Sequence, residues 1–269
     1  MQPTPAYVFA VVFLPFAGAA LTPLVYRVLG ERTAYYAAAV ALACLGFVTA
    51  LWNQGAHGTV AVEWIPSLGV SLAFYVDGLA LLIAFLATAV GVLILTYSGG
   101  YMHGEPGQAK YYATLLAFMG SMLGVALAAD LVALFVFWEL TSLSSFILIG
   151  HYSEESASQY AARKSMLITV SGGLFMLVGF LLLVWVSGQT GEATYALPVL
   201  IENAGAIRET LRSTGLFVPV LLLVGLGAAT KSAQVPFHIW LPNAMEAPTP
   251  VSAFLHSATM VKAGVYLVG

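Results

Sequence analysis

Long, uninterrupted apolar runs constrain this chain more than any other feature. They lie between Gly, Pro, Asn and charged residues at Ala6–Leu29, Thr33–Trp52, Asp77–Ser98, Tyr111–Ala129, Leu131–Gly150, Ala161–Ser187, Leu216–Val235 and Val251–Gly269. Each reaches the ~20 residues that a helix needs to cross the hydrocarbon core of a bilayer. Only helices and closed barrels satisfy every backbone polar group there. Barrel strands alternate apolar and polar residues over ~10 positions, and these runs do not. The expected fold is an all-α polytopic membrane protein of about eight transmembrane helices, one of them interrupted near Pro236. Residues 1–269 read as a single transmembrane domain.

Composition narrows the function. Only 8% of the residues are charged, against about one quarter in soluble domains, which excludes an ordinary water-soluble fold. Lys and Arg number 9 against 12 Asp and Glu, so the basic footprint of a nucleic-acid partner is missing. A lone cysteine, Cys44, offers neither a disulfide framework nor a thiolate metal site. His57, His103 and His151 fall in loops or at helix ends, so no axial pair for haem is evident, and no phosphate-cradling loop is present. No cofactor and no metal are expected. The first run lacks a basic segment before it and exceeds the ~7 to 15 apolar residues of a signal peptide, so it reads as a retained helix.

Loop charges suggest an orientation in the cell membrane. With the N-terminus outside, the inner loops hold Arg27, Arg32, Lys110, Arg163 and Lys164, and the outer loops hold only Arg208 and Arg212. Asp77 and Asp130 read as helix caps, Asp130 closing a tight hairpin between the fourth and fifth spans. Val60–Ile65 and Val70–Phe74 flank Pro66-Ser67-Leu68-Gly69, which predicts a β-hairpin at the outer interface. The apolar run ending at Gly269 has no flanking anchor, and the natural protein is expected to continue.

A few polar residues fall at membrane depth. Glu139 lies ~13 Å along a helix from Asp130, near the middle of a ~30 Å core, where a carboxylate costs ~2.5 to 3.5 kcal/mol. It reads as an ion-pathway group, or else as a structural ion pair or a protonated, hydrogen-bonded acid. Ser142 shares its face. Lys231 follows the run Leu221–Ala229 and precedes Pro236, which cannot complete a regular helix. The break should free carbonyls to bond water, ions or protein groups. A lysine carries protons when desolvation and a nearby carboxylate pull its proton affinity in opposite directions. A varying separation from Glu139 would therefore load and release the proton; the alternative is a lysine that snorkels or only pairs with an acid.

The last span holds His256 and Lys262, about 9 and 18 Å along it and roughly 120° apart on a regular helix. They read as links between compartments, His256 equally as a packed histidine. His238 adjoins the break and serves as an accessory or as an interface anchor. Lys164 reads mostly as a loop charge that can enter the sixth helix as a further accessory.

These motifs resemble a known family. Phe137-Trp138-Glu139-Leu140-Thr141-Ser142-Leu143-Ser144-Ser145-Phe146 and Thr230-Lys231-Ser232-Ala233-Gln234-Val235-Pro236-Phe237-His238-Ile239-Trp240-Leu241-Pro242 are similar to the antiporter-like subunits shared by respiratory complex I and the Mrp antiporters. Trp64–Gly69, Ala244–Ser252 and Leu255–Gly264 look closest to the large A subunit of Mrp-type Na+/H+ antiporters. The resemblance implies a proton-translocating subunit of a multisubunit monovalent cation/proton antiporter, sodium being the cation, and a secondary transporter rather than an enzyme. It implies that Glu139 and Lys231 are the coupled acid and lysine, with His256 and Lys262 on the connecting path. The implied partners are other Mrp subunits, the lipid bilayer, H+ and Na+. Family members continue with further helices that contain another half-channel, so this chain corresponds to an N-terminal part. Two alternatives are a proton-pumping subunit of complex I or of a membrane hydrogenase, and a structural membrane scaffold whose buried charges only pair with one another.

Overall fold

The computed structural model describes residues 1–191 and 193–268. The helices are α1 (Pro5–Leu29), α2 (Thr33–Asn53), α3 (Gly78–Tyr101), α4 (Gln108–Leu127), α5 (Leu131–Ile149), α6 (Ser156–Thr190), α7 (Leu197–Glu202), α8 (Ala204–Ser213), α9 (Phe217–Lys231), α10 (Thr249–Ser252) and α11 (Met260–Val268). Six helical stretches are long and apolar enough to cross a membrane, or seven if α8 and α9, bent by 114°, form one span. The first stretch, Pro5–Asn53, contains both α1 and α2, joined by a 3-10 turn at Gly30–Arg32. The expected number of about eight is reached only when these two are counted separately.

Packing follows from small residues that let helix backbones approach. Gly18 of α1 faces Val40 of α2, and Gly99 of α3 faces Ala34 of α2. α4 lies at the centre: it is among the least apolar of the spans and the most buried. Lipid contact demands apolar side chains, whereas the centre of a bundle tolerates hydroxyls that bond one another. Phe9, Phe13, Phe16, Phe74 and Phe137 form an aromatic cluster beside α4, and Gly124 provides the space into which the Phe137 ring fits.

The predicted hairpin is present. Strand β1 (Gly58–Ile65) pairs antiparallel with β2 (Val70–Val76), with Val60 opposite Phe74 and Val62 opposite Leu72. Gly69 adopts the left-handed conformation that closes the turn. Asp130 does more than cap α5 through the amides of Val132 and Ala133. Its second carboxyl oxygen accepts from the Ser71 amide of β2, at 3.2 Å. Asp77 caps α3 by accepting from the Ala80 amide at 2.7 Å.

Three spans depart from expectation. α6 runs from Ser156 to Thr190, beyond both predicted ends. α9 stops at Lys231, short of the expected Val235, because Ala233 turns the chain at φ 51°. The last span is not one regular helix: α10 is followed by a π-helical segment, Ala253–Ala258, and then by α11. The roughly 120° separation expected between His256 and Lys262 assumed a uniform helix, and so does not hold across the extra residue per turn of a π segment. Gly269, the expected end of that span, lies outside the described residues.

Candidate functional site: an intramembrane lysine beside a glutamate

Lys231 is the last residue of α9 and is 0% exposed. Its Nζ donates to the Trp138 carbonyl at 2.8 Å and to Ser142 Oγ at 2.6 Å, and lies 5.1 Å from the Trp138 ring centroid. The two acceptors are four residues apart on α5, one helical turn, so a single face of α5 receives the ammonium. Side chains that end in a cation persist at such depth only with this kind of compensation.

Glu139 adjoins Trp138 on α5. It is close enough to Lys231 to interact electrostatically, yet the two form no ion pair within 4.0 Å. Its Oε1 is buried without a hydrogen-bond partner among the described residues, as is Trp138 Nε1. The carboxyl group sits in a recess of α6: a Cβ on Gly173 would collide with Glu139 Oε1, and one on Gly172 would collide with the Thr230 side chain. This glycine pair lets α6 pass between α5 and α9. The pair was not singled out in the sequence, although two adjacent glycines in a long helix were the signal available.

The helix break is filled from within the protein. The Ala229 carbonyl accepts from the Gln234 amide at 2.9 Å, and the Thr230 carbonyl accepts from Trp240 Nε1 at 2.9 Å. These two freed carbonyls are therefore bound by protein groups. The stretch after the break forms 3-10 turns at Phe237–Trp240 and Asn243–Glu246, matching the short helix expected between Pro236 and Pro242.

The other predicted residues separate into three kinds of place. His256 lies in the π-helical segment, its ring centroid 6.1 Å from that of Trp240, and both ring nitrogens are buried without partners among the described residues. Lys164 enters α6, donates to Asn243 Oδ1 at 2.7 Å and lies over the Tyr160 ring, so it braces the segment after the break. His238 and Lys262 are exposed on the surface of the described chain. The structure thus brings Glu139, Ser142 and Lys231 together, places His256 beyond Trp240 and leaves Lys262 outside this cluster.

A polytopic helical bundle with a charged interior and apolar outer spans defines this chain as an integral membrane protein. Its sequence assigns it further. The chain belongs to the NADH:quinone oxidoreductase/Mrp antiporter transmembrane family, whose signature covers residues 128–269. Residues 64–112 match the N-terminal family of complex I chain 5. The chain is 47% identical to the large Na(+)/H(+) antiporter protein of the A type from Alkalihalophilus pseudofirmus, over 94% of its own length and 31% of the relative's. It is 44% identical to the probable K(+)/H(+) antiporter protein of the A/B type from Rhizobium meliloti, over 96% of this chain and 25% of that protein. It thus spans about a third of such relatives or less. Among solved structures, the Mrp complex from Dietzia sp. DQ12-45-1b superposes with a TM-score of 0.85 at 35% identity, over 97% of this chain and 27% of that one. A chain of an archaeal membrane-bound sulfane sulfur reductase shares the fold, with a TM-score of 0.82 at 23% identity, covering 98% of this chain and 52% of its own.

Proposed function

We propose that this chain is the proton-translocating part of a subunit of a multisubunit monovalent cation/proton antiporter, with sodium as the exchanged cation. The observation that carries the reading is the fully buried Lys231, held by Trp138 O and Ser142 Oγ at a helix break beside a carboxylate with an unpartnered oxygen. The ammonium has three N–H donors and two are engaged. Small rotations of its stem would carry the third toward Glu139, so the proton is held more or less tightly as the separation changes. His256 and Lys262 extend the path, with Ser142, Lys164 and His238 as accessories.

Its partners are the other subunits of such a complex, and residues 1–269 form part of one transmembrane domain. Five of the nine cations, Arg27, Arg32, Lys110, Arg163 and Lys164, belong to the loops and helix ends at one end of the bundle, where Gly104 and His103 contact Glu31 and Tyr111 contacts His151. That end is the inner one, and the N-terminus lies outside. The antiporter reading is favoured over a redox-complex component because the antiporter relatives reach 47% identity, whereas the sulfane sulfur reductase chain has 23%.

The test is sodium-dependent proton flux in vesicles that contain the assembled complex, repeated with potassium. Glu139→Gln keeps size and loses the titratable charge, so flux should fall at least ~10-fold with assembly intact, the lower end for losing a proton-transfer group. Lys231→Arg should fail equally, because a guanidinium does not release its proton. Normal flux in an assembled Glu139→Gln complex would remove Glu139 from the mechanism. A charge-only role for the lysine would show as a working Lys231→Arg beside a dead Lys231→Ala. If both variants disrupt assembly and any assembled fraction transports normally, the buried charges are a scaffold.

A further inference from the structure

At the end of the bundle that carries the five clustered cations, a cavity of about 220 Å³ opens between α4, α5 and α6. Its polar rim is Lys110, Ser153, Gln159 and Arg163, and its floor includes Phe146 and Ile147. Arg163 donates to Gln159 Oε1 at 3.2 Å, and Gln159 Nε2 donates to the Ser153 carbonyl at 2.6 Å, so the rim is ordered. Neither cation is in an ion pair among the described residues, and Glu105, Glu154 and Glu155 of the neighbouring turns do not line the cavity. Two exposed cations thus face one concave space without an acid to match them.

Below the rim the surface of α5 turns apolar. Val136, Leu140, Leu143 and Ile147 succeed one another at helical spacing, and their angular spread at 100° per residue is roughly 60°. All four remain partly or wholly exposed, Leu143 at 46%. From Ile147 to Val136 the stripe extends about 17 Å, close to one leaflet of a ~30 Å hydrocarbon core. Its far end runs into a second, apolar cavity lined by Phe13, Phe16, Trp64, Leu72, Val136 and Leu140.

We propose that this face is a binding site for an anionic phospholipid. The phosphate sits between Lys110 and Arg163, and one acyl chain lies along Leu143, Leu140 and Val136. A zwitterionic lipid would set its own cation against the rim. A soluble anion would use the rim and leave the stripe empty. A protein segment would need an acidic group followed by about a leaflet's depth of apolar contact, an arrangement that an anionic phospholipid has in every copy. Basic pockets between transmembrane helices at the cytoplasmic surface bind lipid headgroups through this same pairing of charge and depth.

The experiment uses the assembled complex in nanodiscs doped with phosphatidylglycerol that carries a photoactivatable diazirine in its acyl chain, followed by peptide mapping. Labelling is expected on Val136, Leu140, Leu143 and Ile147. Unlabelled phosphatidylglycerol should compete, and phosphatidylcholine and inorganic phosphate should not. Lys110→Gln with Arg163→Gln should weaken the apparent affinity about thirty-fold, the factor for two surface cations, while Lys110→Arg with Arg163→Lys should retain it. Several results would overturn the proposal: no label on the stripe in the wild-type complex, equal competition by phosphatidylcholine, displacement by phosphate, unchanged labelling in the double glutamine variant, or cross-links that place another protein segment in the cavity. The wild-type map decides the matter even if the double variant fails to assemble.

Discussion

The first four helices and the region around Lys231 handle buried polar groups in opposite ways. On α1 to α4 the buried polar side chains are bonded. Thr22, Thr88, Ser98 and Ser121 donate to carbonyls one turn back, and Ser98 and Tyr111 share a bond of 2.9 Å across the α3–α4 contact. From Trp138 onward the described chain holds Trp138 Nε1, Glu139 Oε1, Ser165 Oγ, Ser232 Oγ and both nitrogens of His256 buried without partners. A membrane offers no solvent to compensate such groups, so each costs free energy unless water enters. The difference teaches where the molecule is built to hold and where it is built to conduct: bonded hydroxyls stitch a rigid half, and the orphaned atoms mark where mobile water or protons are needed.

The strongest way to break this comparison is to fill the recess in α6. Gly173→Ala would drive a methyl group into the Glu139 carboxyl group. Overpacking of this kind costs about 1 to 3 kcal/mol, and a displaced carboxylate should reduce flux in vesicles at least ~10-fold, as removal of a proton-transfer group does. Gly225→Ala on α9 meets open space within 4 Å. It should assemble and transport normally, with helix propensity slightly in its favour. Equal flux in the two variants would mean that the recess is mere packing.

A smaller effect sharpens the contrast. Ser98→Ala removes a donor to Ile94 O and strands the Tyr111 hydroxyl, which should cost about 1 kcal/mol and leave flux unchanged. Ser232→Ala removes a hydroxyl with no protein partner, so thermal stability should change by less than half of that while flux slows. Melting temperatures of the two complexes, with flux measured on the same preparations, test this. Equal destabilisation would show that Ser232 is bonded as firmly as Ser98.

Much of the fold was legible because the bilayer imposes simple rules. Run length gave the spans, aspartates gave the caps of α3 and α5, and the Pro-Ser-Leu-Gly turn gave the β-hairpin. Glu139, Ser142 and Lys231 stood out because charge is expensive in hydrocarbon, and the structure brings them together. What sequence rules missed is shape. The recess at Gly172 and Gly173 is a property of three helices at once, and the capture of the Thr230 carbonyl by Trp240 depends on a turn ten residues later. The π-helical segment around His256 likewise has no periodic signature, since one inserted residue shifts every later position around the axis.

The smallest expected effect concerns His151, on the border between the two regions. It follows α5, and its ring packs against Tyr111 of α4 and against Tyr152. Burial, and then the positive charge of Lys110, push its pKa below the ordinary histidine value of 6.5. Protonation is therefore easier in the unfolded chain than in the folded one. Stability from this group is fully present above the unfolded value and is lost as pH falls through the folded one. His151→Gln removes the titration while keeping a polar side chain. The melting temperature of the wild-type complex should drop between about pH 7.5 and pH 5.5, around the ordinary histidine range, and the drop should be smaller in the variant. Flux at neutral pH should be the same in both, because His151 belongs to the stitching of α4 to α5 and touches neither Glu139 nor Lys231. A variant that melts with the wild-type pH slope would assign that slope to other groups and leave His151 a packing residue. A variant that melts normally but transports poorly would extend the conducting region to this end of the bundle.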